Sequence, residues 1–165
     1  MDSVVTPATQ EIFLRLAAAA AAGSVIGLNR ELHGKPAGLR THALVTLGSA
    51  VATLACLHYG TPNQLPNQDA LSRVIQGIIT GIGFLGAGVI MREQSSSRIH
   101  GLTTAATIWV AASLGIVCAI GHWPLVLMAT GWVLAILVLG SPLEKFISRL
   151  WKSNPNSHDS DHEDS

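Results

Sequence analysis

Residues 80 to 91 read TGIGFLGAGVIM, and within them Gly81-x-Gly83-x-x-Gly86 has the spacing of a dinucleotide-binding loop. In such a loop the glycines let the backbone approach a pyrophosphate, whose charge is held at a helix N-terminus. The fingerprint also needs a strand before it, a helix after it and an acidic residue about twenty positions on. Twenty residues on, this chain reads HGLTTAATIW and offers no carboxylate. The glycines sit inside an apolar run that starts before Gly77 and ends near Arg92, which leaves no room for strand, loop and helix. No dinucleotide is expected, and no other cofactor.

Other residues are candidates for polar chemistry. AGLRTH brings Arg40, Thr41 and His42 together at the start of an apolar run, where they could hold an anion such as a lipid headgroup. Arg30-Glu31 and Arg92-Glu93 are two copies of one charged pair. Asp69 and Arg73 are one helical turn apart, as are Glu11 and Arg15, and both are read as simple i,i+4 pairs. His33, His42, His58, His100 and His122 all fall in loops or at the ends of apolar runs. With no nucleophile–base pair and no zinc-ligand spacing, neither an enzyme nor a metal site is expected. His158, Asp159, Asp161 and His162 lie in an acidic, apolar-poor tail that enforces no coordination geometry. Cys56 and Cys118 read as small apolar fillers rather than a disulfide.

These residues are carried by long apolar stretches. Only 12% of the 165 residues are charged, against roughly a quarter in a soluble domain, and many of those crowd into the C-terminal tail. A bilayer span needs about twenty mostly apolar residues. Five stretches meet or approach that length: 12–28, 43–57, 74–91, 102–120 and 123–140. The second must borrow Thr41, His42, His58 and Tyr59. With no alternating strand pattern, the expectation is an all-α polytopic membrane protein of five transmembrane helices. The first run is not a cleaved signal peptide, because Arg15 interrupts it and Asp2 and Glu11 stand where a basic leader would be.

Residues 1–10 are expected to form an external segment, 11–141 the membrane domain and 142–165 a charged, mostly disordered cytoplasmic tail. Arg30, Lys35 and Arg40, Arg92 and Arg98, and Lys145, Arg149 and Lys152 fall on one side; only Arg15 and Arg73 lie near helix ends on the other. By the positive-inside rule the N-terminus is outside and the C-terminus in the cytoplasm.

Inside a membrane the glycines have a different use. Gly77, Gly81 and Gly88 share one helical face, with Gly83 and Gly86 on an adjoining stripe. Small residues let another backbone approach closely, and Gly23 and Gly27 repeat the device in the first span. The alternative is a helix broken at mid-membrane to form an ion site.

The segments VIGLNRELHGKPAGLRTHA (25–43) and VIMREQSSSRIHGLTTAA (89–106) repeat an order of Val-Ile, Arg-Glu, polar linker and Gly-Leu-x-Thr. The first four spans therefore read as two helical hairpins in parallel orientation, with the fifth outside the repeat. Reciprocal pairs, Arg30 with Glu93 and Arg92 with Glu31, are expected across the pseudo-two-fold.

Together GLNRE, AGLRTH, GIGFLGAG and GLTTAATIWVAA (which contains Thr104) resemble the MgtC/SapB family of bacterial inner-membrane proteins over residues 10 to 140. The resemblance implies a non-enzymatic, multi-pass inner-membrane protein associated with magnesium limitation. Two features depart from the family pattern: Asn29 stands where an acidic residue is usual, and no folded soluble C-terminal domain is expected after the fifth span. Two functions compete. One is a modulator of membrane physiology that packs its glycine faces against other membrane proteins or a second copy in a homodimer. The other is a magnesium transporter or channel. Glu11, Glu31, Asp69 and Glu93 all lie at helix ends, whereas a coupled transporter places carboxylates at mid-membrane, which favours the modulator. The expected partners are the lipid bilayer and membrane proteins, and no nucleic acid.

Overall fold

A computed structural model describes residues 7–59, 68–92 and 101–152, and all of its regular structure is helical. The helices are α1 (Pro7–Leu32), α2 (Leu39–Tyr59), α3 (Gln68–Arg92), α4 (Leu102–Ile120) and α5 (Trp123–Lys152). Each contains at least 18 consecutive residues apolar enough to cross a bilayer.

Local chemistry sets their ends. Pro7 opens α1, where its missing N–H costs nothing. An alanine run carries the helix to Gly23. α1 stops at Gly34, whose left-handed backbone (φ 62°) suits glycine. There the Gly34 and Lys35 amides donate to the carbonyls of Glu31 and Arg30, both at 3.0 Å. α4 ends the same way at Gly121 (φ 84°), whose amide donates to Val117 and Cys118. α2 takes in the expected polar flanks Thr41, His42, His58 and Tyr59, and begins earlier still, at Leu39.

α3 is a continuous helix through all its glycines, so the broken-helix alternative is not what this chain forms. The intrahelical ladder needs no side chain, and the apolar residues between the glycines suffice to hold it in place. α5 runs on past the expected boundary at residue 141, through Pro142 to Lys152. The start of the tail is therefore helical, and residues 153–165 lie outside the described part.

α2 and α4 form the centre. α1 packs on both, α3 packs chiefly on α4 and more lightly on α2, and α5 borders α1 and α4. The α1–α2 and α3–α4 hairpins are thus both present, the first more tightly closed than the second. Ala19, Ala50, Leu54, Cys118, Ala119 and Val126 form a buried cluster, with Ile12, Leu16, Ala18 and Val117 packed against it. Cys56 and Cys118 are free thiols. Large apolar side chains such as Phe84, Leu127 and Trp132 point outward, as a bilayer requires.

Glycine sets the closest crossings. A Cβ on Gly27 would lie 2.6 Å from the Leu39 Cα, and one on Gly23 would lie 2.5 Å from the His42 carbonyl oxygen. A Cβ on Gly115 of α4 would run into the Thr46 backbone and lie 2.9 Å from the Ser49 Cβ. Without a hydrophobic drive between helices in lipid, such approach is what gains contact.

Candidate functional site

The buried polar residues concentrate where the α1–α2 linker meets the first turn of α4. Arg30, in the last turn of α1, is only 4% exposed. Its Nη2 donates to Thr104 Oγ1 on α4 and, at 3.4 Å, to the Pro36 carbonyl. Its Nε has no partner, and among the described residues no carboxylate pairs with it. Thr104 is itself buried.

Glu31 turns elsewhere. Its Oε2 accepts from the Leu39 amide at 3.0 Å and so caps α2 with a negative charge. Gly38 makes room for that carboxylate, since a Cβ there would fall 2.7 Å from Oε2. His42 is fully buried one turn into α2, and its Nδ1 donates to the Gly38 carbonyl at 3.0 Å. That bond fixes the neutral tautomer and leaves Nε2 as an acceptor, which has no partner. Asn29 is half-buried, and its carbonyl accepts from His33 Nδ1 at 2.7 Å.

Arg40 and Thr41 are exposed. The expected Arg40–Thr41–His42 cluster is therefore split, with one member buried and two outside, and the amide it would have offered an anion is taken by Glu31. Asp69 and Arg73 are exposed at the opposite end of the bundle, at the start of α3. Arg92 closes α3, while Glu93 lies outside the described residues, as does the reciprocal pairing that involves it.

Threonines line the α2–α4 centre. Thr46 donates to the carbonyls of His42 and Ala43, Thr53 to Ser49 and Thr107 to Thr104, so each is satisfied within its own helix. Beside this centre lies a cavity of about 520 Å³ lined by Pro36, Ala37, Thr41, Val45, Leu85, Val89 and Ile108. A shallower groove of about 400 Å³ follows α2 and α3 past Leu44, Gly48, Gly77 and Gly81.

Of the glycines read as packing residues, Gly23 and Gly27 are pressed against α2, and Gly86 faces the Ala105 Cβ of α4 at 3.5 Å. Gly77, Gly81, Gly83 and Gly88 have nothing within 4 Å of where a Cβ would stand. Among the described residues, no helix is pressed against them. Reading the sequence did not foresee Gly38 or Gly115, because a single glycine in a span carries no pattern. Nor did it foresee a second role for Arg15, which pairs with Glu11 as expected but also donates to the Ala119 carbonyl at the end of α4 (2.5 Å). A backbone acceptor leaves no mark in a sequence.

Among the described residues no cluster of histidine, cysteine or carboxylate could hold a metal ion. The sequence profile of the MgtC family matches residues 16–146. The chain belongs to the MgtC family. Similar proteins include SrpB of Synechococcus elongatus, 43% identical over 129 residues, which is 74% of this chain and 71% of SrpB. MgtC of Salmonella typhimurium is 41% identical over 126 residues, covering 76% of this chain and 51% of MgtC. YhiD of Escherichia coli, whose name proposes magnesium transport, is 42% identical over 135 residues, 79% of this chain and 60% of YhiD. The chain thus spans about half the length of MgtC. No solved structure matches it. As an MgtC-family protein with five apolar helices, it is a multi-pass membrane protein.

Proposed function

We propose that this MgtC-family protein is a non-enzymatic modulator of membrane physiology under magnesium limitation, acting by packing α3 against other membrane proteins or a second copy of itself. One observation carries this reading: on the face of α3 bearing Gly77, Gly81 and Gly88, nothing among the described residues lies within 4 Å of where a Cβ would stand. Such a face gains nothing for the folded chain and loses helix propensity at each glycine. It becomes useful when a second backbone lies on it. The glycine-walled groove between α2 and α3 gives the side chains of that second helix somewhere to seat. On this reading the protein sits in the bacterial inner membrane, and the distribution of Lys and Arg supports an external N-terminus with the linkers after α1 and α3 in the cytoplasm.

The name of YhiD supplies the link to magnesium and favours transport as a second reading. Against transport, Glu11, Glu31 and Asp69 lie at helix ends, and among the described residues no cluster of carboxylate, histidine or cysteine could hold a metal ion. Magnesium needs oxygen ligands, usually carboxylates with retained water.

The test has two arms. Purified protein in proteoliposomes should pass no more magnesium than empty liposomes. Gly81→Leu and Gly88→Leu should abolish rescue of growth at low magnesium by an otherwise folded protein, whereas Phe84→Leu, on an exposed position of the same helix, should not. Magnesium flux well above background, or equal growth with all three variants, would refute the reading.

A further inference from the structure

At the N-terminus of α4 two positive features meet. The amides of Leu102, Thr103 and Thr104 belong to the first turn, where no intrahelical acceptor exists, and Gly101 before them supplies no side-chain cap. The helix dipole adds about half a positive charge at this end. Against that turn the structure sets a guanidinium rather than a carboxylate, since Arg30 donates to Thr104 Oγ1. Arg30 is 96% buried (4% exposed), its Nε is unpartnered, and no carboxylate among the described residues balances it. The negative end of α1 and the Pro36 carbonyl offset only part of that charge. A buried cation beside a helix N-terminus is costly unless an anion reaches both. The contrast with α2 is instructive, because there the chain places the Glu31 carboxylate on the first turn.

The immediate surroundings say what kind of anion fits. The cavity of about 520 Å³ begins at Pro36, whose carbonyl accepts from Arg30, and is walled by Ile108, one turn beyond Thr104. Apart from Thr41, its lining is apolar: Pro36, Ala37, Val45, Leu85, Val89 and Ile108. Leu102 and Thr103 are exposed, so the first turn of α4 can be reached from the membrane surface.

We propose that this is a phospholipid site. The headgroup phosphate is held by Arg30, the Thr104 hydroxyl and the free amides of the first turn of α4, and an acyl chain lies in the adjoining cavity. Phosphate suits the donors because its oxygens accept several charge-assisted hydrogen bonds at once. The phosphate ligands Arg30 and Thr104 lie outside the glycine face of α3, so the loss of phosphate binding and the loss of partner packing are read separately, although Val45 and Leu85 border both the cavity and the groove.

The experiment measures binding to the detergent-purified protein by native mass spectrometry and by thermal shift. The probes are dioleoyl phosphatidylglycerol, dioleoyl glycerol without phosphate, and inorganic phosphate at matched ionic strength. Phosphatidylglycerol should bind the wild type at least about tenfold more tightly than either other probe, a factor that corresponds to about 1.4 kcal/mol. Arg30→Gln and Thr104→Val should each weaken it about tenfold, while Arg40→Gln, an exposed charge on α2, should change it less than about twofold. Val89→Trp, which fills the cavity, should weaken the phospholipid and leave inorganic phosphate unaffected. If Arg30→Gln does not fold, Arg30→Lys keeps the charge without the planar fork and should bind several-fold more weakly than wild type. Four results would overturn the site: equal binding of the phosphate-free lipid, inorganic phosphate as tight as the phospholipid, an equal loss in Arg40→Gln, or phospholipid binding that emerges only in Glu93→Gln. The last would mean that the chain's own carboxylate fills the place.

Discussion

Replacing Gly27 by alanine tests the argument that backbone approach, more than side-chain filling, closes the first hairpin. The new Cβ would stand 2.6 Å from the Leu39 Cα and 2.7 Å from the Gly38 carbonyl oxygen, where ordinary contact begins at 3.4 Å. Neither atom belongs to a side chain that can rotate away, so α1 and the start of α2 must separate by several tenths of an ångström. The same movement stretches the 3.0 Å bond from the Leu39 amide to Glu31 Oε2. Overpacking of this kind costs about 1–3 kcal/mol, and loss of a helix cap about 1 kcal/mol more. Gly81→Ala is the internal comparison, since nothing lies within 4 Å of its Cβ and it should gain up to about 1 kcal/mol of helix propensity. Gly27→Ala gains the same propensity, so the two single-methyl variants should differ by the close-approach and cap terms alone, about 2–4 kcal/mol. Reversible unfolding in mixed micelles, titrated with a denaturing detergent, measures that difference directly. Variants equal within about 1 kcal/mol would refute the close-approach argument, because both add the same atoms to a transmembrane helix.

Arg15→Leu should destabilise the fold by about 1–3 kcal/mol in the same assay, since it strips the Ala119 carbonyl of its donor, while Glu11→Gln, at an exposed carboxylate, should cost less than about 1 kcal/mol. Thr104→Val should cost about 1–3 kcal/mol by leaving the Arg30 guanidinium without its hydroxyl partner, and adding Arg30→Gln should cost less than the sum of the two single changes in a double-mutant cycle. For topology, cysteines introduced at Asn67 and Ser96 in a chain lacking Cys56 and Cys118 should label from outside and from the cytoplasm respectively; labelling of both from one side would reverse the orientation argument.

Much of the architecture was legible because membrane helices declare themselves by length and apolarity. The fourth span, 102–120, coincides with α4, since Gly101 and Gly121 bracket an unbroken apolar run. α5 was drawn too short because hydropathy ends at Gly140, whereas the backbone ladder continues wherever side chains permit a helix. The small-residue pattern marks Gly23 and Gly27, which the fold sets against α2, and the same pattern in α3 marks glycines with no described neighbour within 4 Å of a Cβ. Pattern reports that a face can be approached, and only the fold reveals whether the approaching helix belongs to the same molecule. Arg30 and Glu31 stand out in the sequence as one copy of a repeated charged pair. Their acceptor and donor, a threonine hydroxyl 74 residues on and a backbone amide, were beyond any spacing rule.

The two arginines of α1 have a mechanical consequence. Arg15 grips the Ala119 carbonyl and Arg30 grips Thr104. The arginines are 15 positions apart, as are their two anchors on α4, and both intervals span about 22 Å of helix. Two rods pinned at matching intervals near both ends behave as a braced frame. α4 cannot slide like a piston along α1, because one residue of travel would strain both pins together. Neither can it pivot about one end without pulling the other loose. The brace holds α1 and α4 in register and leaves α3 and α5 outside it.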